Sequence, residues 1–233
     1  MIKIKNLSKS FGDKVAVNID SLSIAKGEVI GIVGNNGAGK TTLFRLMLDL
    51  YQATTGEVLN HGVNVAKSEE WKEVTAAFVD NGFLIDFLTP EEYFDFLGSV
   101  RGIESSEVKS RIEQFEKFMN NEVLGQKKYI RNFSSGNKQK IGIVGAMLAR
   151  PDILILDEPF NFLDPSSQIE IKRLLKQYNT DFGTTIIISS HNLDHIVDIS
   201  GRILLMENGA IINDIANANS EAIDLLNNYF NTK

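Results

Sequence analysis

Apolar and polar residues along the chain follow two periods, one of two residues and one near 3.6. Alternation marks residues 2–7 and 15–24 as half-buried strands. Residues 28–33 form a continuous apolar run that ends in a glycine-rich stretch, residues 34–39. Leu43, Leu46 and Met47 then recur at helical spacing, so the glycine loop joins a buried strand to a helix. Short strands are expected on either side of an Asn60-His61-Gly62 turn, and another over 74–79. Thr89-Pro90-Glu91-Glu92 has the form of a capping box with proline in the first turn. From there to about residue 128 the pattern is helical and rich in aromatics, including Phe94, Leu97, Ile112, Phe115, Phe118 and Met119.

A helix is expected from Gly136 to about Arg150, where Pro151 ends it, followed by a buried strand at 153–156. A helix over 168–178 and a buried strand over 184–189 come next. A last short strand at 202–206 leads into an Asn208-Gly209 turn, and a closing amphipathic helix carries Ile223, Leu226, Tyr229 and Phe230 on one face. Buried strands alternating with helices predict an α/β fold with a mainly parallel sheet. No repeat or linker interrupts the 233 residues, so one unit is expected over 1–233. Its core comprises 1–88 and 138–233 and includes an antiparallel β part near the N-terminus. Residues 89–137 form an inserted helical subdomain.

Composition narrows the chemistry. There is no cysteine, which excludes disulfides, thiol nucleophiles and thiolate metal sites. The formal charge of −6 argues against nucleic acid as a partner. No apolar run approaches the length of about 18 residues that a membrane span needs. Residues 1–5 alternate apolar and charged side chains, unlike a secretory signal.

Gly34-Asn35-Asn36-Gly37-Ala38-Gly39-Lys40-Thr41 matches the phosphate-loop pattern G-x-x-x-x-G-K-[ST], in the strand-before, helix-after setting that the pattern requires. Its backbone N–H groups and the following helix N-terminus suit an anion. Lys40 is expected on the β- and γ-phosphates, Thr41 on Mg²⁺, and Thr42 beside it. The run Ile153-Leu154-Ile155-Leu156 ends in Asp157 and Glu158. A carboxylate at the carboxyl end of a parallel strand can hold Mg²⁺, and the next one can deprotonate a water.

On these motifs, in this order, the chain resembles an ABC ATPase over nearly its whole length. The likeness implies a P-loop NTPase core and four further elements. Ser134-Ser135-Gly136-Asn137, after Phe133, resembles the family signature that acts on a partner's ATP, with Ser135 replacing a glycine and Asn137 a glutamine. Asp164, in Asn161-Phe162-Leu163-Asp164, resembles the acid of the D-loop. His191 resembles the switch histidine, while His61 and His195 read as turn and helix-surface residues. Phe11 resembles the aromatic that stacks on adenine, with Ala16 (between Val15 and Val17) expected beside the nucleotide, although an aromatic taken alone reads as core.

Asp80 stands where the family places the Q-loop glutamine, Asn81 being the alternative, and a carboxylate there could bind Mg²⁺. An acid at that place resembles the peptide-antibiotic and lantibiotic resistance branch, which implies export. Residues 83–87, including Phe83 and Leu84, are a candidate docking face for a permease. The resemblance thus implies a Mg²⁺-dependent ATPase that pairs with a second copy or a related subunit. It would work at the cytoplasmic face of the membrane through separate transmembrane subunits. A soluble ABC ATPase, such as one serving iron–sulfur assembly, and a regulator with little hydrolysis are the rival readings.

Overall fold

The computed structural model describes residues 2–216 together with Leu226 and Tyr229. The chain opens with an antiparallel hairpin, β1 (Ile2–Phe11) and β2 (Lys14–Ile24). β4 (Thr55–Asn60) and β5 (Val63–Asn64) extend it into a four-stranded sheet of order β2-β1-β4-β5. The turn between β4 and β5 holds His61 at a φ of 50°, its Nδ1 2.9 Å from Asn60 Oδ1, as a turn residue should be.

The second sheet has six strands. β3 (Val29–Val33), β6 (Thr75–Phe78), β7 (Ile153–Leu156), β8 (Thr185–Ser190) and β9 (Arg202–Glu207) run parallel, in the order β9-β3-β8-β7-β6. β10 (Ala210–Ala216) pairs antiparallel with β9 at the edge. The strand over 202–206, expected from the sequence to be the last, is followed by β10. The expected strand over 74–79 is also shorter, because α2 (Trp71–Val74) leads into it.

Side chains alternate across the parallel sheet and divide the core in two. Ile153, Ile155, Ile187, Ile30 and Ile32 face the antiparallel sheet and α1 (Lys40–Met47), where Leu43 and Phe44 are fully buried. Leu154, Leu156, Ile186 and Ile188 face the helices on the other side.

Those helices are α3 (Pro90–Val100), α4 (Ser105–Glu113), α5 (Glu116–Met119), α6 (Ser135–Leu148), α7 (Pro165–Phe182) and α8 (Leu193–Val197). α3 starts at the capping box read from the sequence: Thr89 accepts from the Glu92 N–H at 3.3 Å, and Glu92 accepts from the Thr89 N–H at 2.8 Å. The inserted helices share their core with the main sheet, since Phe94, Phe115 and Phe118 belong to the same buried cluster as Leu154. Of the residues expected on a closing helix, Leu226 is buried in this cluster and Tyr229 packs against it, while Ile223 and Phe230 lie outside the described residues. No helix among the described residues is long and apolar enough to cross a membrane.

Candidate active site

The parallel sheet brings three strand ends to one edge, where α/β folds bind ligands. β3 delivers the glycine loop and Lys40, β7 delivers Asp157 and Glu158, and β8, lying between them, delivers Ser189 and His191.

The loop closes against itself and against the β9–β10 turn. Ala38 donates to Asn35 O at 3.0 Å, and Gly209 donates to Ala38 O at 2.9 Å. Gly39 caps α1 at a φ of 105°, and a Cβ there would lie 2.4 Å from Ala16 O, so only glycine fits. α1 has no acidic side chain in its first turn and no side-chain cap, which leaves its first N–H groups to an anion.

Lys40 is 6% exposed. Its Nζ donates to Gly34 O at 2.6 Å and Asn35 O at 3.4 Å, and lies 3.4 Å from Glu158 Oε1. Thr41 Oγ1 donates to Asp157 Oδ2 at 2.5 Å, and Ser189 Oγ makes a short hydrogen bond to Asp157 Oδ1. Burial raises the Asp157 pKa, and the neighbouring Glu158 adds to the rise; the two hydroxyls and Lys40 oppose it. A buried carboxylate bound to a threonine hydroxyl gives the oxygen donors that Mg²⁺ takes. Among the described residues no group of three or more histidines and acids could hold a metal by itself. A cation here would therefore keep water or phosphate oxygens as its other ligands.

Glu158 has a φ of 47°, and its N–H donates to Ser189 Oγ at 2.8 Å. His191 approaches Glu158 Oε2 twice, through Nδ1 at 2.8 Å and its backbone N–H at 3.2 Å. A carboxylate only accepts, so Nδ1 carries the proton of that bond. One oxygen of Glu158 is thus held by His191 while the other faces Lys40. Ser189, which bonds both acids, went unnoticed in the sequence.

Lys40, Thr41 and Glu158 border a surface cavity of about 340 Å³, lined also by Phe11, Lys14, Ala16, Asn36–Gly39 and Thr42. Phe11 is 47% exposed and not core. It sits at the tip of the β1–β2 hairpin, meets Tyr51 edge to face at 5.5 Å, and has Lys9 Nζ 4.9 Å from its ring centre.

Three expected elements lie outside this cavity. Ser134 caps α6, its Oγ accepting from the Asn137 N–H at 3.2 Å, so Ser134, Ser135, Gly136 and Asn137 form an exposed helix start. Asp164 caps α7 and accepts from Ser166 and Ser167, bonds that hold its carboxyl well below the usual range. Asp80 accepts from Arg45 and from the Gly82 N–H.

α6 bears on the segment after Asp157 by a route the sequence hid. Gln139 Nε2 donates to Glu158 O at 3.2 Å, and Gly136 packs against the carbonyl of Phe162. Lys140, 2% exposed, lies 3.3 Å from Glu122 and 3.7 Å from Asp164. His195 is a further correction to its reading as a helix-surface residue. Its ring stacks 4.6 Å from that of Phe160 and its Nδ1 is buried, and burial lowers its pKa.

Residues 17–161, well over half of the chain, match the family model described as ABC transporter. The chain belongs to the ABC transporter family. It is 35% identical to the bacitracin transport ATP-binding protein BcrA of Enterococcus faecalis, covering 92% of this chain and 69% of that protein. It is 31% identical to the methionine import ATP-binding protein MetN of Campylobacter jejuni, over 91% of this chain and 69% of MetN. The dimeric structure of a post-hydrolysis state of the ATP-binding cassette MJ0796, bound to ADP and Pi, superposes with a TM-score of 0.81. That likeness, at 23% identity over 93% of this chain and 98% of MJ0796, establishes the fold. This ABC transporter chain is accordingly an ATP-binding, ATP-hydrolysing subunit that powers transport. The soluble-ATPase reading finds no support among these relatives.

Proposed function

We propose that the chain binds MgATP between Phe11 and Lys40, hydrolyses it with Glu158 as general base, and does so as one half of a head-to-tail dimer on the cytoplasmic face of a permease. The observation that carries this reading is the chain of direct contacts that joins Asp157 to Thr41, and His191 through Glu158 to Lys40, with Thr41, Lys40 and Glu158 lining the cavity. Phe11 offers its exposed ring to adenine. Lys40 and the first turn of α1 hold the phosphates, and Thr41 and Asp157 would hold Mg²⁺, which supplies charge neutralisation at the phosphates. Glu158 takes the proton of the attacking water, and His191 holds the carboxylate in place. The Nε2 of His191, on the far side of the ring from that bond, is the atom left to meet the γ-phosphate.

Ser134 caps, and Ser135, Gly136 and Asn137 begin, a 14-residue helix whose first residues do not line the chain's own cavity. A partner's γ-phosphate is the anion they suit. MJ0796, which shares the fold, is a dimer in its ADP-bound and Pi-bound state, in keeping with this arrangement. Asp164, on the loop beside Gly136, ties the two sites.

The permease fits a groove of about 430 Å³ between the core and the inserted helices, lined by Leu50, Trp71, Phe83, Tyr93, Leu97 and Val100 among others. Phe83 is 55% exposed at its rim, whereas Leu84 is buried and serves the core. The similarity to a bacitracin transport subunit and the acid at position 80 support export as the direction. Co-expression with a neighbouring multi-span membrane protein tests the reading. The chain is expected to co-purify with membranes and hydrolyse ATP faster there, and Phe83→Asp to release it. Retention of Phe83→Asp on the membrane would remove the groove from the docking site.

A further inference from the structure

Arg45 lies outside both the phosphate loop and the groove, yet Tyr51, the neighbour of Phe11, and Leu50 of the groove hang from it. Its carbonyl accepts from the Leu50 N–H at 2.8 Å and the Tyr51 N–H at 3.2 Å. Its Nη1 donates to Tyr51 Oη at 2.7 Å, and its guanidinium carbon stands 5.3 Å from the centre of that ring. Its Nη2 reaches Asp80 Oδ2 at 3.4 Å. Tyr51 in turn meets Phe11, the base platform, edge to face. The other oxygen of Asp80 accepts from the Gly82 N–H at 2.7 Å and caps the tight turn Asn81–Phe83. Leu50 and Phe83, at the two ends of these connections, both line the apolar groove.

From this arrangement we infer that Arg45 is a positioning residue coupling the base platform to the groove: a nucleotide seated on Phe11 sets the Asp80–Leu84 turn through Tyr51 and Arg45. The inference rests on Phe11 being the base platform. It also supplies a reason for an acid at position 80. A carboxylate has one oxygen for the Gly82 amide and a second for a guanidinium, whereas an amide would turn a donor toward Arg45. The Arg45–Asp80 pair is partly exposed, 25% and 48% for the two side chains, so water competes with it and the turn can exchange between arrangements. Occupancy of the base platform then biases a bistable turn rather than bending a rigid one.

Hydrogen exchange of residues 81–84 tests this, measured with and without MgATP in the Glu158→Gln background so that ATP persists. Nucleotide is expected to change exchange in this turn by about tenfold, as for a local opening equilibrium shifted by bound ligand. Arg45→Met, which keeps the stem and loses the charge, is expected to shrink the response below about twofold while ATP affinity stays within about threefold. Arg45→Lys restores the ion pair without the fork and recovers part of the response, and thermal melting checks that each variant is folded. A response in Arg45→Met equal to that of the parent, or a turn that ignores nucleotide in the parent, overturns the role of Arg45. Phe11→Ala separates the premise from the inference: undiminished ATP affinity there removes the base platform itself.

Discussion

Gly136→Ala probes the contact between α6 and the loop after Glu158. A Cβ at position 136 would stand 2.6 Å from the carbonyl oxygen of Phe162, where ordinary contact begins at 3.4 Å. The two segments must therefore separate by about 0.8 Å. The obstacle is backbone, and no side chain can rotate out of its way. Overpacking of this kind costs about 1–3 kcal/mol. In a chain of this size that lowers the melting temperature by about 2–12 °C. The loop that must move hangs from Glu158, because Asn161 donates to Glu158 O at 3.2 Å, and Gln139 of the same helix bonds that carbonyl too. A displacement near 1 Å at a catalytic group lowers turnover on the order of 10²-fold. ATP affinity of the monomer should hold, since Gly136 does not line the cavity of Lys40. Differential scanning fluorimetry, steady-state ATPase assay and nucleotide titration on the same preparation read all three quantities. Wild-type melting and turnover in Gly136→Ala would show that the two segments do not meet as described.

Further outcomes follow from the same geometry. Asp157 has a native pKa above its unfolded value, so its ionised form works against folding above the native pKa, and this penalty fades as pH falls through it. Asp157→Asn should therefore melt no lower than wild type at pH 7 without Mg²⁺, and lose the extra stabilisation that Mg²⁺ adds to ATP. A lower melting point at neutral pH would contradict the burial argument. Lys40→Ala removes charge-assisted bonds to phosphate and should weaken ATP binding on the order of 10- to 100-fold by titration. Unchanged affinity would exclude the loop from the site.

The sequence revealed elements wherever local pattern and chemistry coincide. The strand, loop and helix around Lys40 were legible because the motif demands that order, and α3 because Thr89 and Glu92 make their bonds within a single turn. β10 was not legible. It is a half-exposed edge strand in which Asn213 and Asp214 break the apolar alternation, and pairing with β9 places it. Ser189 was one of two serines ending an apolar strand. Its bonds to both acids arise because β8 is inserted between β3 and β7, a long-range fact. The expectation for Asp80 did not include Arg45, 35 residues earlier, whose guanidinium meets its carboxylate. Phe11, half exposed beside the loop, shows how an aromatic that reads as core can be placed by a hairpin tip instead.

The central claim is that Glu158, held by His191 and facing Lys40, is the base that activates water. Single-turnover hydrolysis by Glu158→Gln, alongside its ATP affinity, tests it most directly. The account predicts affinity within about threefold of wild type and hydrolysis slowed by 10²- to 10⁴-fold, roughly the contribution of a general base. It also predicts that the variant accumulates as an ATP-bound dimer. Hydrolysis at the wild-type rate in that variant would contradict it.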